Sequence, residues 1–388
     1  MEKMKTRKPH TKSRKGCVSC KSRHVKCDET KPACVNCDKY GSKCEYPAAQ
    51  ARIVNDNTSP YARVSTPSSA DGLNLNRSSP TLGGQTQDYA LNIPQLRLLH
   101  HFSTVTASTL TSNIEAQDVC RSHIVKIAFN HPFLLHVILA LAALHLSWLN
   151  QALSQVYLVQ AEKHHDAALA EFRSDVQDID ESNFQAVFCF AFILFPYSCA
   201  VLIDPKNGPE YVLDTVLQNL ALTRRVPPMV RQFYSSMLDS ELGRLVPSDT
   251  QGIDFYQVPS DRVLVSLWKF SELTSKLYPP DINEAYELAI STLEVLFSVV
   301  KRQSERPSVS LVKLWTHQVT PRFMELLSAR QPGALIIFAH YAVLLKTCQH
   351  YWFMDGYAGQ ILQVADALIP EEWRSWLDWP KEQIRGSA

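Results

Sequence analysis

GCVSCKSRHVKCDETKPACVNCDKYGSKCEY, from Gly16 to Tyr46, holds six of the chain's ten cysteines. Cys17, Cys20, Cys27, Cys34, Cys37 and Cys44 are spaced C-x2-C-x6-C-x6-C-x2-C-x6-C, and the first three recur as the last three at an offset of 17 residues. Two equivalent half-sites are therefore encoded. A structural zinc takes about four thiolates, so two separate ions would need about eight. Six suffice if two sulfurs serve both ions. The repeat singles out Cys17 and Cys34 as the shared pair. Cys20 and Cys27 then complete one site, and Cys37 and Cys44 the other, which predicts two Zn2+ per chain. The alternative is an oxidised six-cysteine knot, with 15 pairings open to it. The opening residues MEKMKTRKPHTK carry charge but no apolar run, which does not read as an export signal and so favours metal over disulfides.

Outward from this stretch, charge is unevenly placed. The 388-residue chain is nearly neutral at +1, yet Met1–Tyr46 holds 13 Lys+Arg against 5 Asp+Glu, leaving +8 there and −7 on the remainder. A basic head on a mildly acidic body implies a polyanionic partner for the head. Six thiolates on two zincs leave the cluster itself at −2, so the segment stays near +6 with metal bound. Residues 48–92 are rich in Ser, Thr, Asn and Pro, with Pro60, Pro67 and Pro80 and hardly an aromatic ring. They read as a flexible linker without heptads. The expected organisation is a head at 1–47, this linker, and a body at 93–388.

The body carries apolar residues at helical spacing and no sustained alternation. Leu96, Leu99 and Phe102 open it. PFLLHVILALAALHLSWL follows Pro132, a residue suited to a first helical turn, and is apolar all round, as a helix packed on several sides must be. Ala285, Ala289, Leu293, Leu296 and Val300 form a stripe. Asp204-Pro205, Pro227-Pro228, Pro279-Pro280 and Gln331-Pro332-Gly333 mark breaks. The fold expected is all-α, with about ten helices. The uncharged runs between Lys126 and Glu162 and between Glu181 and Asp204 are long enough for a membrane span of about 20 residues. Asn130-His131-Pro132, His136, His145 and Asn150 interrupt the first and Gln185 and Pro196 the second, so both read as buried helices, with no membrane partner. Cys120, Cys189, Cys199 and Cys348 lie in apolar surroundings and read as buried thiols.

With all six cysteines, the basic run between the second and third, Pro32 before the fourth and the closing Tyr46, the segment Gly16–Tyr46 resembles the fungal binuclear zinc cluster family of transcription factors. The resemblance implies two short helix-and-strand units around two metals, in a domain too small for an apolar core, so that metal binding supplies its folding free energy. It also implies a nuclear, sequence-specific regulator of RNA polymerase II genes that binds double-stranded DNA. A short helix enters the major groove, where guanine presents N7 and O6 to Arg or Lys, and the family reads CGG-type triplets. Carried over by position, Arg23 and His24 are the base-edge candidates, Lys21 supports them and Lys26 holds phosphate. His24 departs from the more usual lysine. Arg14 and Lys15 belong to an upstream basic run, with Arg7, Lys8 and Lys12, that suits phosphate or nuclear import.

FNHPFLLHVILALAALHLSWL, Phe129–Leu149, and RKPHTKSRKGC upstream of the cluster are similar to the fungal sterol-uptake regulators and their relatives. That similarity implies regulation of sterol or secondary-metabolite genes and a small hydrophobic ligand in the body. No glycine-rich phosphate loop, G-x-S-x-G or H-E-x-x-H occurs, so no catalysis is expected. His136 and His145 fall on opposite faces of one helix and the pairs His100-His101 and His164-His165 share none, which argues against a second metal. IPEEWRSWLDWP, with Trp373, Trp376 and Trp379 among Glu371, Glu372 and Asp378, reads either as a docked last helix or as a recruiter of transcription machinery or co-regulators. A monomer on one triplet and a homodimer joined through the body both fit. The competing functions are a lipid-sensing helical protein with an accessory DNA head and a zinc-containing nucleic-acid enzyme.

Overall fold

A computed structural model describes residues 16–23, 25–46, 91–201 and 205–386. Arg14, Lys15, His24 and residues 48–90 of the expected linker lie outside the described residues. Helices and turns account for all regular structure among the described residues, which contain no strand. The chain divides into two units, residues 1–86 and 87–388.

In the first unit two one-turn helices, α1 (Val18–Ser22) and α2 (Val35–Lys39), each start on a cysteine. The interior is sulfur: Cys17, Cys20, Cys27, Cys34 and Cys37 are buried, Cys44 and Tyr46 pack against them, and Val18, Val25 and Val35 face solvent. The expected strands do not form among the described residues. After each helix the chain bonds back to the helix instead, Val25 N–H to the Cys20 carbonyl and Ser42 N–H to the Cys37 carbonyl.

The second unit runs through α3 (Ile93–Thr104), α4 (Ile114–Asp118), α5 (Ile124–Ala128), α6 (Pro132–Leu149), α7 (Ser154–Asp175), α8 (Phe184–Ala200), α9 (Pro209–Val230), α10 (Tyr234–Leu238), α11 (Val265–Leu277), α12 (Pro280–Arg302), α13 (Val309–Gln318), α14 (Pro321–Ser328), α15 (Pro332–Lys346), α16 (Tyr357–Leu368) and α17 (Asp378–Arg385). Ten of these have ten or more residues. Two helices apolar on every side organise the core. α6 begins on Pro132, is flanked by α3, α7 and α8, and is 67% buried, although its length and hydropathy would suit a membrane span. α15 begins on Pro332, is buried from Gly333 through Leu345, and touches α12, α14, α16 and α17. A β-carbon at Gly333 would stand 2.5 Å from the Tyr286 ring, so glycine is what lets α15 start against α12. The α12 stripe packs inward, with Ala285, Ala289, Leu293 and Leu296 buried and Val300 partly so. Between these helices Trp315 donates Nε1–H to the Ala289 carbonyl at 2.9 Å and stacks on Tyr341 at 4.2 Å.

Two sequence readings shift, and one left open between two alternatives is decided. On α3 the buried positions are Leu98 and Phe102, one turn apart, while Leu96 is exposed. α9 runs on through Pro227-Pro228 to Val230, and Pro196 sits inside α8. Proline's fixed φ is itself helical, so a helix can run through it at the cost of one N–H donor and of crowding between the ring and the carbonyl four residues back. The three C-terminal tryptophans face the core. Trp373 and Trp376 meet Phe270 edge-on at 5.9 and 5.1 Å, Trp379 stacks on His340 at 5.3 Å, and Lys346 Nζ donates to the Ile384 carbonyl at 2.6 Å. The segment is a docked end of the body, its aromatic rings engaged in packing.

One buried carboxylate is structural. Glu294 of α12, fully buried, accepts from the N–H groups of Val263 (2.6 Å) and Leu264 (3.0 Å) and from Trp268 Nε1–H (3.1 Å). It thereby closes the start of α11, and Arg262 covers Trp268 with its guanidinium 3.7 Å from the ring centre.

Candidate metal centre and nucleic-acid interface

The 17-residue repeat of the sequence is a repeat of contacts. Cys17 N–H points at Cys27 Sγ (3.5 Å), as Cys34 N–H does at Cys44 Sγ (3.3 Å). Cys17 Sγ caps α1 through the Cys20 N–H (3.4 Å), and Cys34 Sγ caps α2 through the Cys37 N–H (3.4 Å). Across the halves, the Ser19 hydroxyl donates to the Lys43 carbonyl (2.5 Å) and the Asn36 amide to the Lys26 carbonyl (2.7 Å), a pair of bonds exchanged by the same offset. The Val18 N–H donates to the Glu45 carbonyl at 2.8 Å, while its counterpart Val35 N–H donates to the Asp28 carboxylate at 3.1 Å. The head therefore has a local pseudo-twofold axis that passes between Cys17 and Cys34.

The sulfurs converge on that axis. Cys17 and Cys34 Sγ lie 3.7 Å apart, and the cross pairs Cys17–Cys37 and Cys20–Cys34 are each 3.6 Å apart. These separations are far beyond a disulfide bond of about 2.05 Å. They match the edge of a sulfur tetrahedron, about 3.8 Å for Zn–S bonds near 2.3 Å. Two four-sulfur groups form, Cys17, Cys20, Cys27 and Cys34, and Cys17, Cys34, Cys37 and Cys44, and the atoms within each lie inside 4.8 Å of one another. The residues fit a pair of zinc ions. When bound, each ion supplies the cohesion that this interior, lacking aliphatic side chains, cannot supply itself.

Electrostatics differ with position. Burial works against a Cys27 thiolate, but N–H donation from Cys17 and Glu29 outweighs it and brings the thiol down to about 7. The Cys34 N–H lowers Cys44, whereas burial raises Cys20. Asp28 is held below the usual carboxylate range by the Thr30 hydroxyl and the Val35 N–H. Tyr46 locks the end of the head by donating its hydroxyl proton to the Thr30 carbonyl at 2.8 Å.

Of the expected DNA-contacting residues, Lys21 lies on α1, Arg23 ends it, and Lys26 lies one residue before Cys27; all three are exposed. Ser19, Asn36 and Asp28, which hold the two halves in register, carried no sequence signal beyond their equivalence under the repeat. Among the described residues only the cysteine groups bring three or more metal-ligating side chains together. Histidines do pair between helices: His136 and His164 place their Nδ1 atoms 2.8 Å apart, a hydrogen bond, and His101 meets His145 at 5.2 Å. Cys120, Cys189, Cys199 and Cys348 are buried free thiols, and burial pushes Cys120 and Cys348 up to about 12.

Residues 15–53 match the fungal Zn(2)-Cys(6) binuclear cluster domain, and residues 97–201 match the fungal specific transcription factor domain. The chain is similar to a Zn(2)-C6 fungal-type transcription factor of Gibberella zeae, 26% identical over 97% of this chain and 86% of that protein. A Zn(2)-C6 fungal-type transcription factor of Aspergillus fumigatus is 29% identical over 86% of this chain and 85% of its own length. Sterol uptake control protein 2 of Saccharomyces cerevisiae is 23% identical over 71% of this chain, which spans 30% of that protein. A six-sulfur head that fits two zincs and a helical body carry matches to these two domains in the same order, and along most of its length the chain is similar to fungal Zn(2)-C6 transcription factors.

Proposed function

We propose that this chain regulates transcription by reading a CGG-like triplet in the major groove through the strip that ends α1. Cys17 and Cys34 would serve both zincs, with Cys20 and Cys27 completing one set of ligands and Cys37 and Cys44 the other. Lys21, Arg23, His24 and Lys26 make up the strip, with Arg14 and Lys15 on phosphate. The observation that carries this reading is the pseudo-symmetric sulfur cluster, which supports a one-turn helix with Lys21, Arg23 and Lys26 exposed on it and just after it. Metal fixes the backbone, so the helix meets DNA without an ordering cost at that moment.

The protein acts in the nucleus and performs no chemistry of its own: it binds DNA and recruits co-regulators. Its targets are sterol or secondary-metabolite genes, a reading supported by the likeness of the body to a sterol uptake control protein. A small apolar molecule held by the body would set its output. Selection of bound sites from random duplexes with the full chain tests the reading. One CGG-like triplet, or two at fixed separation for a homodimer, is expected, and binding should vanish when zinc is chelated. Recovery of no preferred sequence from zinc-loaded protein would overturn it.

A further inference from the structure

Arg23 and Tyr40 hold equivalent positions in the repeat, and they meet. Arg23 is the residue that ends α1, and Tyr40 is the residue that ends α2. The Arg23 guanidinium carbon lies 5.2 Å from the centre of the Tyr40 ring. From the same group, Nη2–H donates toward Cys37 Sγ in the other half at 3.7 Å, and Nε–H donates to the Ser19 carbonyl on its own helix at 3.3 Å. One side chain thus touches its own helix, the opposite helix, and a sulfur of the opposite metal group. Among the described residues, the ammonium groups of Lys21 and Lys26 make no comparable bond, although they flank the same turn.

We propose that Arg23 is a positioning residue of the zinc cluster, whose guanidinium clasps the two half-sites across their pseudo-twofold and does not itself read a base. The proposal rests on the reading of the head as a zinc-dependent DNA-binding unit, and it reassigns one member of the recognition strip. The physical case is one of competing geometry. Bidentate reading of guanine needs two parallel N–H groups aimed at O6 and N7. Here the Nε edge is turned back to the helix end and Nη2 is turned inward to sulfur. The metal-bound sulfur cluster carries net negative charge, so a cation beside Cys37 is favourable where it is. Swinging it out to a base would give up the sulfur contact and the cover of Tyr40 together. Lysine could keep the charge but lacks the planar fork that reaches sulfur, carbonyl and ring at once. Partners that orient a metal ligand commonly change metal affinity about 10- to 100-fold when removed. The triplet is then read from Lys21 and His24, with Lys26 on phosphate.

The test uses the full, zinc-loaded chain and two readouts: the rate of zinc transfer to a colorimetric chelator, and the sites selected from random duplexes. Arg23→Met should speed zinc transfer about 10- to 100-fold. Arg23→Lys should speed it less and should select the same triplet as wild type. Tyr40→Ala should also speed transfer, and adding it to Arg23→Met should change little, since the two side chains act as one clasp. Overturning results would be an Arg23→Lys chain that keeps wild-type zinc retention while its selected triplet changes, or fully additive effects of Arg23 and Tyr40. If wild-type protein holds a number of zincs other than two, or selects no site, the underlying reading of the head fails first and this proposal with it.

Discussion

His340 shows how much a single side chain in the body depends on its surroundings. It is fully buried on α15, its Nδ1–H donates to the Ile336 carbonyl at 2.8 Å, and its ring lies against Trp379. Burial brings its pKa down to about 4, so the folded protein keeps it neutral. The unfolded chain takes up that proton near 6.5, so stability is lost as pH falls from about 6.5 toward 4. Between pH 7 and pH 5 His340 alone should cost about 2 kcal/mol, read as a drop in the urea midpoint, and His340→Gln should flatten that slope. His145, buried and brought by burial to about 4, adds to the slope in the same direction. Gly333 is decisive in the opposite sense, because it works by having no side chain. Gly333→Ala would drive a methyl into the buried Tyr286 ring and should destabilise the body by about 1–3 kcal/mol, visible as a lower Tm. His340 did not stand out in the sequence, and Gly333 did so only as part of the Gln331-Pro332-Gly333 break, with no sign of its contact to Tyr286. A histidine or glycine inside an apolar run has the same neighbours along the chain whether or not a ring lies across from it.

At the scale of elements, the legible features were those with a covalent period. Pro132 marks the first turn of α6, Pro279-Pro280 and Gln331-Pro332-Gly333 mark the breaks at which α12 and α15 begin, and the stripe of α12 follows from helical spacing. The register of α3 was not legible, because Leu96, Leu98 and Leu99 are alike in chemistry and only the neighbouring helices select Leu98. The start of α11 depends on a carboxylate some 30 residues further along, on α12. Glu294→Ala would leave the Val263 and Leu264 N–H groups and the Trp268 indole without an acceptor. Hydrogen bonds to a charged group contribute about 1.5–3 kcal/mol each when buried, so a loss on the order of 3 kcal/mol is expected in urea unfolding. Glu294→Gln should recover part of it, since an amide oxygen still accepts. The C-terminal tryptophans make the same point. Their acidic surroundings suit either an exposed recruiter or a docked helix, and only Phe270, Phe297 and His340 opposite them decide for docking.

The whole molecule joins two units that are held together by different physics. The head has an interior of thiols and no aliphatic core among its described residues, whereas the body has a large apolar cluster with members from Leu98 to Leu377. Chelation should therefore abolish DNA binding and release two zincs per chain, while helical circular dichroism and the thermal transition of the body persist. Loss of the body's transition on chelation would contradict this separation. The sequence by itself carried the repeat of six cysteines that suits two zincs, and the helical class, because cysteine spacing and apolar periodicity are properties of the covalent chain. Only the tertiary structure decided that Asp28, Ser19 and Asn36 hold the halves in register, that Arg23 meets Cys37 and Tyr40, and that Glu294 closes α11. Those roles depend on atoms brought near by folding around sulfur or apolar surface, and no local pattern encodes which distant atom will stand opposite.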